Sequence, residues 1–269
     1  MKIFITGGCG QCGVALQNIP YEKVFYDTQL CQADASDLNL IQGDINDIER
    51  LTAAMEGCNV VVHLAAASSI DSSWDEVLNN NIIGTKNVLE VAKNTGIEIF
   101  IFASSNHVVG MYELINAPEI YDLTDKVILT RDADLCPDSL YGVSKVFGEQ
   151  LGKYYSSIGG PRFICLRIGA LVHEDNPYAH AERGVANGKW QRESKQYEKM
   201  VNRLKSLWIS QRDFNQLVRR SIVNSENEFE IFYALSDNPR RWLDIEAAKH
   251  QLGYKPQDNA EDWNSPESL

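Results

Sequence analysis

The chain has 269 residues, 44% hydrophobic and 23% charged, an ordinary balance for a globular protein with a full core. That length fits one large domain, or one domain with a small appendage. The net charge of −12 argues against nucleic acid and anionic membrane surfaces as partners, so an anionic ligand must be held locally, by helix N-termini or single arginines. No apolar run approaches the roughly 20 residues of a membrane span. Met1 leads straight into a strand-like segment without a signal peptide, so a cytoplasmic protein is expected. The six cysteines (Cys9, Cys12, Cys31, Cys58, Cys136 and Cys165) are scattered without a disulfide framework. Cys9 and Cys12 match C-x-x-C, a redox pair or half a metal site. No second Cys/His cluster accompanies them and they fall in a glycine loop, so no metal is expected.

Residues 2–6 form a short apolar run, as a buried parallel strand requires. Gly7, Gly10 and Gly13 follow as G-x-x-G-x-x-G, leading into a helix at Val14. Glycines there permit a tight turn and close approach of backbone to a pyrophosphate, while the helix N-terminus supplies N–H groups and partial positive charge. Residues 24–27 read as a second strand ending at Asp27, 20 residues after Gly7. A carboxylate there suits the ribose 2′-hydroxyl of NAD and repels the 2′-phosphate of NADP. Residues 40–45 read as a third strand, whose Asp44 can reach an adenine, and 48–55 as an amphipathic helix. Residues 60–67 make a fourth strand running into a small-residue loop, and His63 within it reads as packed rather than catalytic. Residues 74–93 read as one long helix.

The fifth strand, residues 97–102, delivers Ala103, Ser104, Ser105, Asn106 and His107 at its carboxyl end, outside which ligands bind in open parallel sheets. After a polar segment, 108–138, comes a helix with Tyr141 and Lys145 one turn apart on the same face. An ammonium beside a phenol favours phenolate, so Lys145 is expected to bring Tyr141 down from the usual value of roughly 10 and make it a base. Residues 162–168 form a sixth strand. Residues 173–200 are polar and weakly patterned, and a loop of that length in a compact domain reads as a lid. Helical spacing over 204–218, a late strand over 230–235 and a terminal helix over 244–252 closed by Gly253 complete the chain. Strands alternating with helices predict a doubly wound α/β sheet.

The glycine loop, the Asn81-Ile82-Ile83-Gly84-Thr85 stretch, Ser105, the Tyr141/Lys145 helix and Leu252-Gly253-Tyr254-Lys255-Pro256 together resemble the extended short-chain dehydrogenase/reductases, the NAD-dependent epimerase/dehydratase superfamily. The resemblance implies a Rossmann domain over 1–170 and a substrate-binding region over 171–269, part of which returns to the sheet. It implies NAD as cofactor and a catalytic set of Ser105, Tyr141, Lys145 and Asn81. Ser105 would hydrogen-bond the substrate hydroxyl, Tyr141 would take its proton, and Lys145 would hold the nicotinamide ribose. The cofactor would lie along Gly7, Gly10, Gln11, Cys12, Gly13, Asp27, Asp44 and Ile45. It would continue past Leu64, Ala65, Ala66, Asn81, Ser104, Tyr141, Lys145 and Ile168.

Within the family, Ser104 to Gly110, Asp138 to Glu149, Leu166-Arg167-Ile168-Gly169 and Arg203 five before Trp208 resemble uronate dehydrogenases. Haloarchaeal NAD-dependent glucose-6-phosphate dehydrogenases are similar too, including Gly253 to Asn259. Both groups oxidise the anomeric carbon of a sugar to a lactone. The resemblance places Ser68 or Ser69, Ser105, Asn106, His107, Tyr141 and Ala170 around the sugar, with Arg203 on its anionic group, and implies a homodimer through the Trp74 and Tyr141 helices. Three departures surround the substrate. The segment 106–140 is longer than in uronate dehydrogenases, Ala170 stands where they carry a substrate-binding serine, and 173–200 is an insertion. A nucleotide-sugar epimerase or dehydratase with transient NAD reduction, and a non-catalytic NAD sensor, are the competing readings.

Overall fold

The computed structural model describes residues 1–31, 38–124 and 127–264. Seven strands form one parallel sheet: β1 (Lys2–Thr6), β2 (Glu22–Asp27), β3 (Leu40–Gln42), β4 (Val60–His63), β5 (Ile99–Ser105), β6 (Arg162–Ile168) and β7 (Phe229–Ala234). Their order is β3-β2-β1-β4-β5-β6-β7. The chain leaves β1 in one direction to build β2 and β3, then crosses to β4 and builds the other way. The carboxyl ends of β1 and β4 therefore flank the switch point where such sheets bind ligands. This is the expected doubly wound fold.

The strands are runs of Val, Ile and Phe because both faces are covered. One face carries Ile3, Ile5, Val62, Ile101 and Leu166 against α1 (Gln11–Ala15), α9 (Gln211–Asn224) and α10 (Glu246–Leu252). The other carries Phe4, Val61, Phe100, Phe102 and Phe163 against α2 (Ile48–Met55), α4 (Gly84–Asn94) and α6 (Leu140–Ser157). Gly148 and Gly152 lay α6 directly on the sheet, since a Cβ at either would enter the ring of Phe102 or Phe163. That close approach sets the depth of Tyr141 and Lys145 on the helix's first turns.

The helix expected over 74–93 is continuous but not uniform. It runs from α3 (Trp74–Glu76) through a π-helical stretch, Val77–Ile83, into α4. A capping box starts it: Ser73 Oγ accepts from the Glu76 N–H at 3.3 Å, and Glu76 accepts from the Ser73 N–H at 2.8 Å. Segment 106–140 contains α5 (Gly110–Asn116). Segment 173–200 is not the loop its polarity suggests. It holds α7 (Ala179–Ala186) and the start of α8 (Lys195–Leu207), packed through Tyr178, Ala181, Tyr197 and Val201. The helical spacing over 204–218 is interrupted at Trp208–Ser210, where Ser210 accepts from the Asp213 N–H at 3.1 Å and starts α9.

Cysteine pairing also departs from expectation. Cys9 and Cys31 form a disulfide, with Cα atoms 4.9 Å apart, because β1 and β2 are neighbours and the loops leaving their carboxyl ends meet. Cys12, Cys58, Cys136 and Cys165 are free thiols, so the C-x-x-C does not close on itself. Among the described residues no helix is long and apolar enough to cross a membrane.

Candidate active site

A cleft of about 800 Å³ crosses the carboxyl ends of β1, β4 and β5. At one end lies the glycine loop. Gly7 has φ +70° and donates its N–H to Tyr26 O at 2.8 Å. A Cβ there would sit 2.6 Å from Ala65 N, so glycine alone lets the loop close against the strand β4 exit. Asp27, at the end of β2, accepts from the Cys9 N–H at 2.9 Å and the Gln29 N–H at 3.0 Å, which fixes its carboxylate at the cleft wall. This is an open cradle followed by a carboxylate on the neighbouring strand, and it fits a dinucleotide's pyrophosphate and adenosine ribose. Gly10, Gln11, Cys12, Asp44, Ile45, Leu64, Ala65, Ala66, Ser104 and Ile168 line the same cleft, while Gly13 and Asn81 lie behind it.

Ser105 ends β5 and Tyr141 opens α6, and both face the same cleft. Ser139 caps the helix, accepting from the Gly142 N–H at 3.1 Å. Lys145 lies one turn on, its Nζ 5.5 Å from the centre of the Tyr141 ring and 4.9 Å from that of Phe102. The geometry is the expected one but the electrostatics are not. Burial pushes Tyr141 up to about 12, the nearby Ser105 hydroxyl opposing it only in part. Burial also pushes Lys145 down to about 8. Burial thus dominates both groups and holds Tyr141 as phenol.

Asn81 does not face the cleft. Its Oδ1 accepts from the Ala67 N–H at 2.8 Å, and its Nδ2 donates to Ala67 O at 3.0 Å and to Ser144 Oγ at 2.9 Å. Ser144 in turn donates to Tyr141 O at 2.7 Å. The asparagine, turned inward by the π-helical stretch, thus ties the loop after β4 to the helical turn that carries the tyrosine. His63 is buried between Thr6 (2.7 Å) and Thr85 (3.1 Å), and burial pushes it down to about 3, as befits a packed histidine.

The other end of the cleft is lined by Ser68, Asn106, His107, Ala170 and Arg203, whereas Ser69 is exposed and accepts from the Asp71 N–H at 3.1 Å. His107 Nδ1 meets Asp138 Oδ2 at 2.7 Å, leaving Nε2 as the ring's remaining polar atom. Asp138, although burial opposes it, is held below the usual carboxylate range by hydrogen bonds from His107 and Ser139. Asn106 Nδ2 is buried with no protein partner, a donor placed for a ligand.

Glu113, Tyr121 and His180 are the groups here that sequence reasoning did not single out. Arg203 Nε lies 2.8 Å from Glu113 Oε1 and its Nη2 donates to Oε2 at 3.1 Å, a bidentate pair. Tyr121 donates to the same carboxylate at 2.7 Å. His180, from α7, lines the cleft, and burial with nearby Arg183 and Arg203 pushes it down to about 4, so it is neutral at pH 7. Glu113 and Tyr121 lie in segment 106–140 and His180 in segment 173–200, and nothing in those stretches of sequence shows what they meet.

Residues 3–198 match the NAD dependent epimerase/dehydratase family. The chain is 35% identical to the NAD-dependent glucose-6-phosphate dehydrogenase of Haloferax volcanii, covering 97% of this chain and 95% of that protein. It is also 35% identical to an L-arabinose 1-dehydrogenase (NAD(P)(+)) of the same organism, over 96% and 97%. The crystal structure of uronate dehydrogenase from Agrobacterium tumefaciens superposes with a TM-score of 0.75 at 28% identity, covering 97% of this chain and 86% of that one. Gly7, Gly10, Asp27, Ser105, Tyr141 and Lys145 thus share one cleft in a chain that belongs to the NAD dependent epimerase/dehydratase family, an extended short-chain dehydrogenase/reductase with NAD as its cofactor.

Proposed function

We propose that the protein oxidises the C1 hydroxyl of an aldose to the lactone. The observation that carries this reading is that Ser105, Tyr141 and Lys145 line one cleft beside the polar wall of Asn106 and His107. When bound, NAD supplies the acceptor for the hydride that leaves C1. Ser105 orients the C1 hydroxyl and Tyr141 takes its proton. Tyr141 can do so only as phenolate, so its own proton must first pass to solvent, and Lys145, one helical turn away, stabilises that phenolate until it is neutralised by the C1 hydroxyl proton. Asn106 Nδ2 and His107 Nε2 supply hydrogen bonds to ring hydroxyls, and Asp138 fixes the His107 tautomer.

Among the relatives named above, the L-arabinose 1-dehydrogenase supports oxidation at C1, and between them the three act on a phosphorylated sugar, an uncharged sugar and a uronate, so likeness to them leaves the charge of the substrate open. Helix α7 bears on the cleft through His180, in keeping with a lid role for 173–200. Trp74, Ile83, Val143 and Tyr154 are exposed on the two helices that the family resemblance assigns to a homodimer contact, and burying them would stabilise one.

The test is NADH formation with a panel of aldoses, uronates and glucose 6-phosphate, run beside Tyr141→Phe. Turnover of a sugar that the variant loses by 100-fold or more supports the reading. Tightly retained NAD and conversion of a nucleotide sugar without net NADH would replace it with an epimerase or dehydratase.

A further inference from the structure

Arg203 is the cleft's one guanidinium among the described residues, and Lys145 is its one ammonium, set between the rings of Phe102 and Tyr141. Within this cleft an anionic sugar therefore depends on Arg203, while Arg183 and Lys189 line the adjoining cavity. That guanidinium already holds both oxygens of Glu113, at 2.8 and 3.1 Å. Glu113 is only 4% exposed and is held a third time by Tyr121 at 2.7 Å. A carboxylate so placed cannot swing into water to make room.

An anion at Arg203 would either sit beside the Glu113 charge or displace it, leaving a buried carboxylate with the tyrosine alone. Both outcomes are unfavourable, and both are the kind of repulsive element that excludes a competing ligand. An uncharged sugar meets no such obstacle. Arg203 has five N–H donors, Glu113 occupies two of them, and the rest can reach hydroxyl or ring oxygens. The other ionisable groups at this end match that neutrality. His107 is paired with Asp138, and His180 is uncharged at neutral pH.

We propose that Glu113 sets the charge class of the substrate, by neutralising Arg203 so that the site takes an uncharged aldose and rejects uronates and sugar phosphates. This rests on the C1-dehydrogenase reading above. Glu113 acts through Arg203 and is a specificity-determining residue, not a catalytic one.

The test compares kcat/KM for D-glucose, D-xylose, D-galactose and L-arabinose with that for glucuronate, galacturonate and glucose 6-phosphate. The wild-type protein should favour its best uncharged sugar over its best charged one by at least tenfold. Glu113→Gln should raise the charged-to-uncharged ratio by tenfold or more, a change that mere loosening of the fold would not produce. If that variant does not fold, the wild-type ratio still decides. A charged sugar turned over faster than every uncharged one overturns the proposal while leaving the dehydrogenase reading intact. In the case of glucose 6-phosphate it would point to the adjoining cavity that Arg203 shares with Lys189. An unchanged ratio in a folded Glu113→Gln also overturns it. If no sugar reduces NAD, the dehydrogenase reading falls and takes this proposal with it.

Discussion

Replacing Glu149 with alanine should damage the fold more than any exposed charge change, and the structure states why. Glu149 on α6 is fully buried, as is Arg167 on β6, 1% exposed. The two make parallel hydrogen bonds of 2.9 Å, and Ser104 donates to the same carboxylate at 2.6 Å. Truncation leaves a guanidinium in the core that cannot deprotonate, with Arg131 O at 3.1 Å and Tyr233 OH at 3.3 Å as its remaining partners. Breaking a buried pair from one side costs about 3–5 kcal/mol. For a chain of this size that corresponds to a fall in Tm of roughly 10 °C. The double variant Glu149→Leu/Arg167→Met removes both charges and should recover most of the loss, because the penalty lies in the orphaned charge. Urea unfolding of the wild type, both single variants and the double, at one protein concentration, measures the cycle. A cost below about 1 kcal/mol for Glu149→Ala, or a double variant less stable than Glu149→Ala, would refute the reasoning.

Acid should weaken the fold through His63. Burial holds it at about 3, below the ordinary 6.5, so its contribution is complete above pH 6.5 and is lost as pH falls toward 3. The slope is roughly 1.4 kcal/mol per pH unit, on the order of 5 kcal/mol in all, and His63→Asn should flatten stability against pH in that window. The Cys9–Cys31 link closes 22 residues, and Cys31→Ser should cost about 3 kcal/mol in thermal unfolding, with the unfolded wild-type chain giving four titratable thiols before reduction and six after.

Strands were the most legible part of this chain, because a parallel strand covered on both faces must be apolar throughout. β4 begins with its Val run and β1 and β6 one residue before their Ile and Phe runs, and Gly253, the left-handed C-cap of α10 at φ +66°, marks that helix's end. Much of the site was legible for a topological reason: doubly wound sheets bring the ends of β1, β4 and β5 to one crevice, so residues 7, 64 and 105 had to meet there. The helices of 173–200 were hidden because their buried faces rest on a few aromatic and small residues, Tyr178, Ala181 and Tyr197, within a charged string.

Charge was the least legible property, since it depends on neighbours through space. Lys145 one turn from Tyr141 reads as an activating cation, yet burial lowers the lysine and raises the phenol. Arg203 reads as an anion receptor, yet its partner is Glu113, 90 residues away in the chain. A motif carries a side chain's donors and acceptors faithfully from one relative to another, because they belong to the residue itself. Net charge belongs to the residue together with whatever it touches. Substitutions beside a retained arginine can therefore change the charge of the sugar a site accepts while the Ser–Tyr–Lys chemistry stays the same.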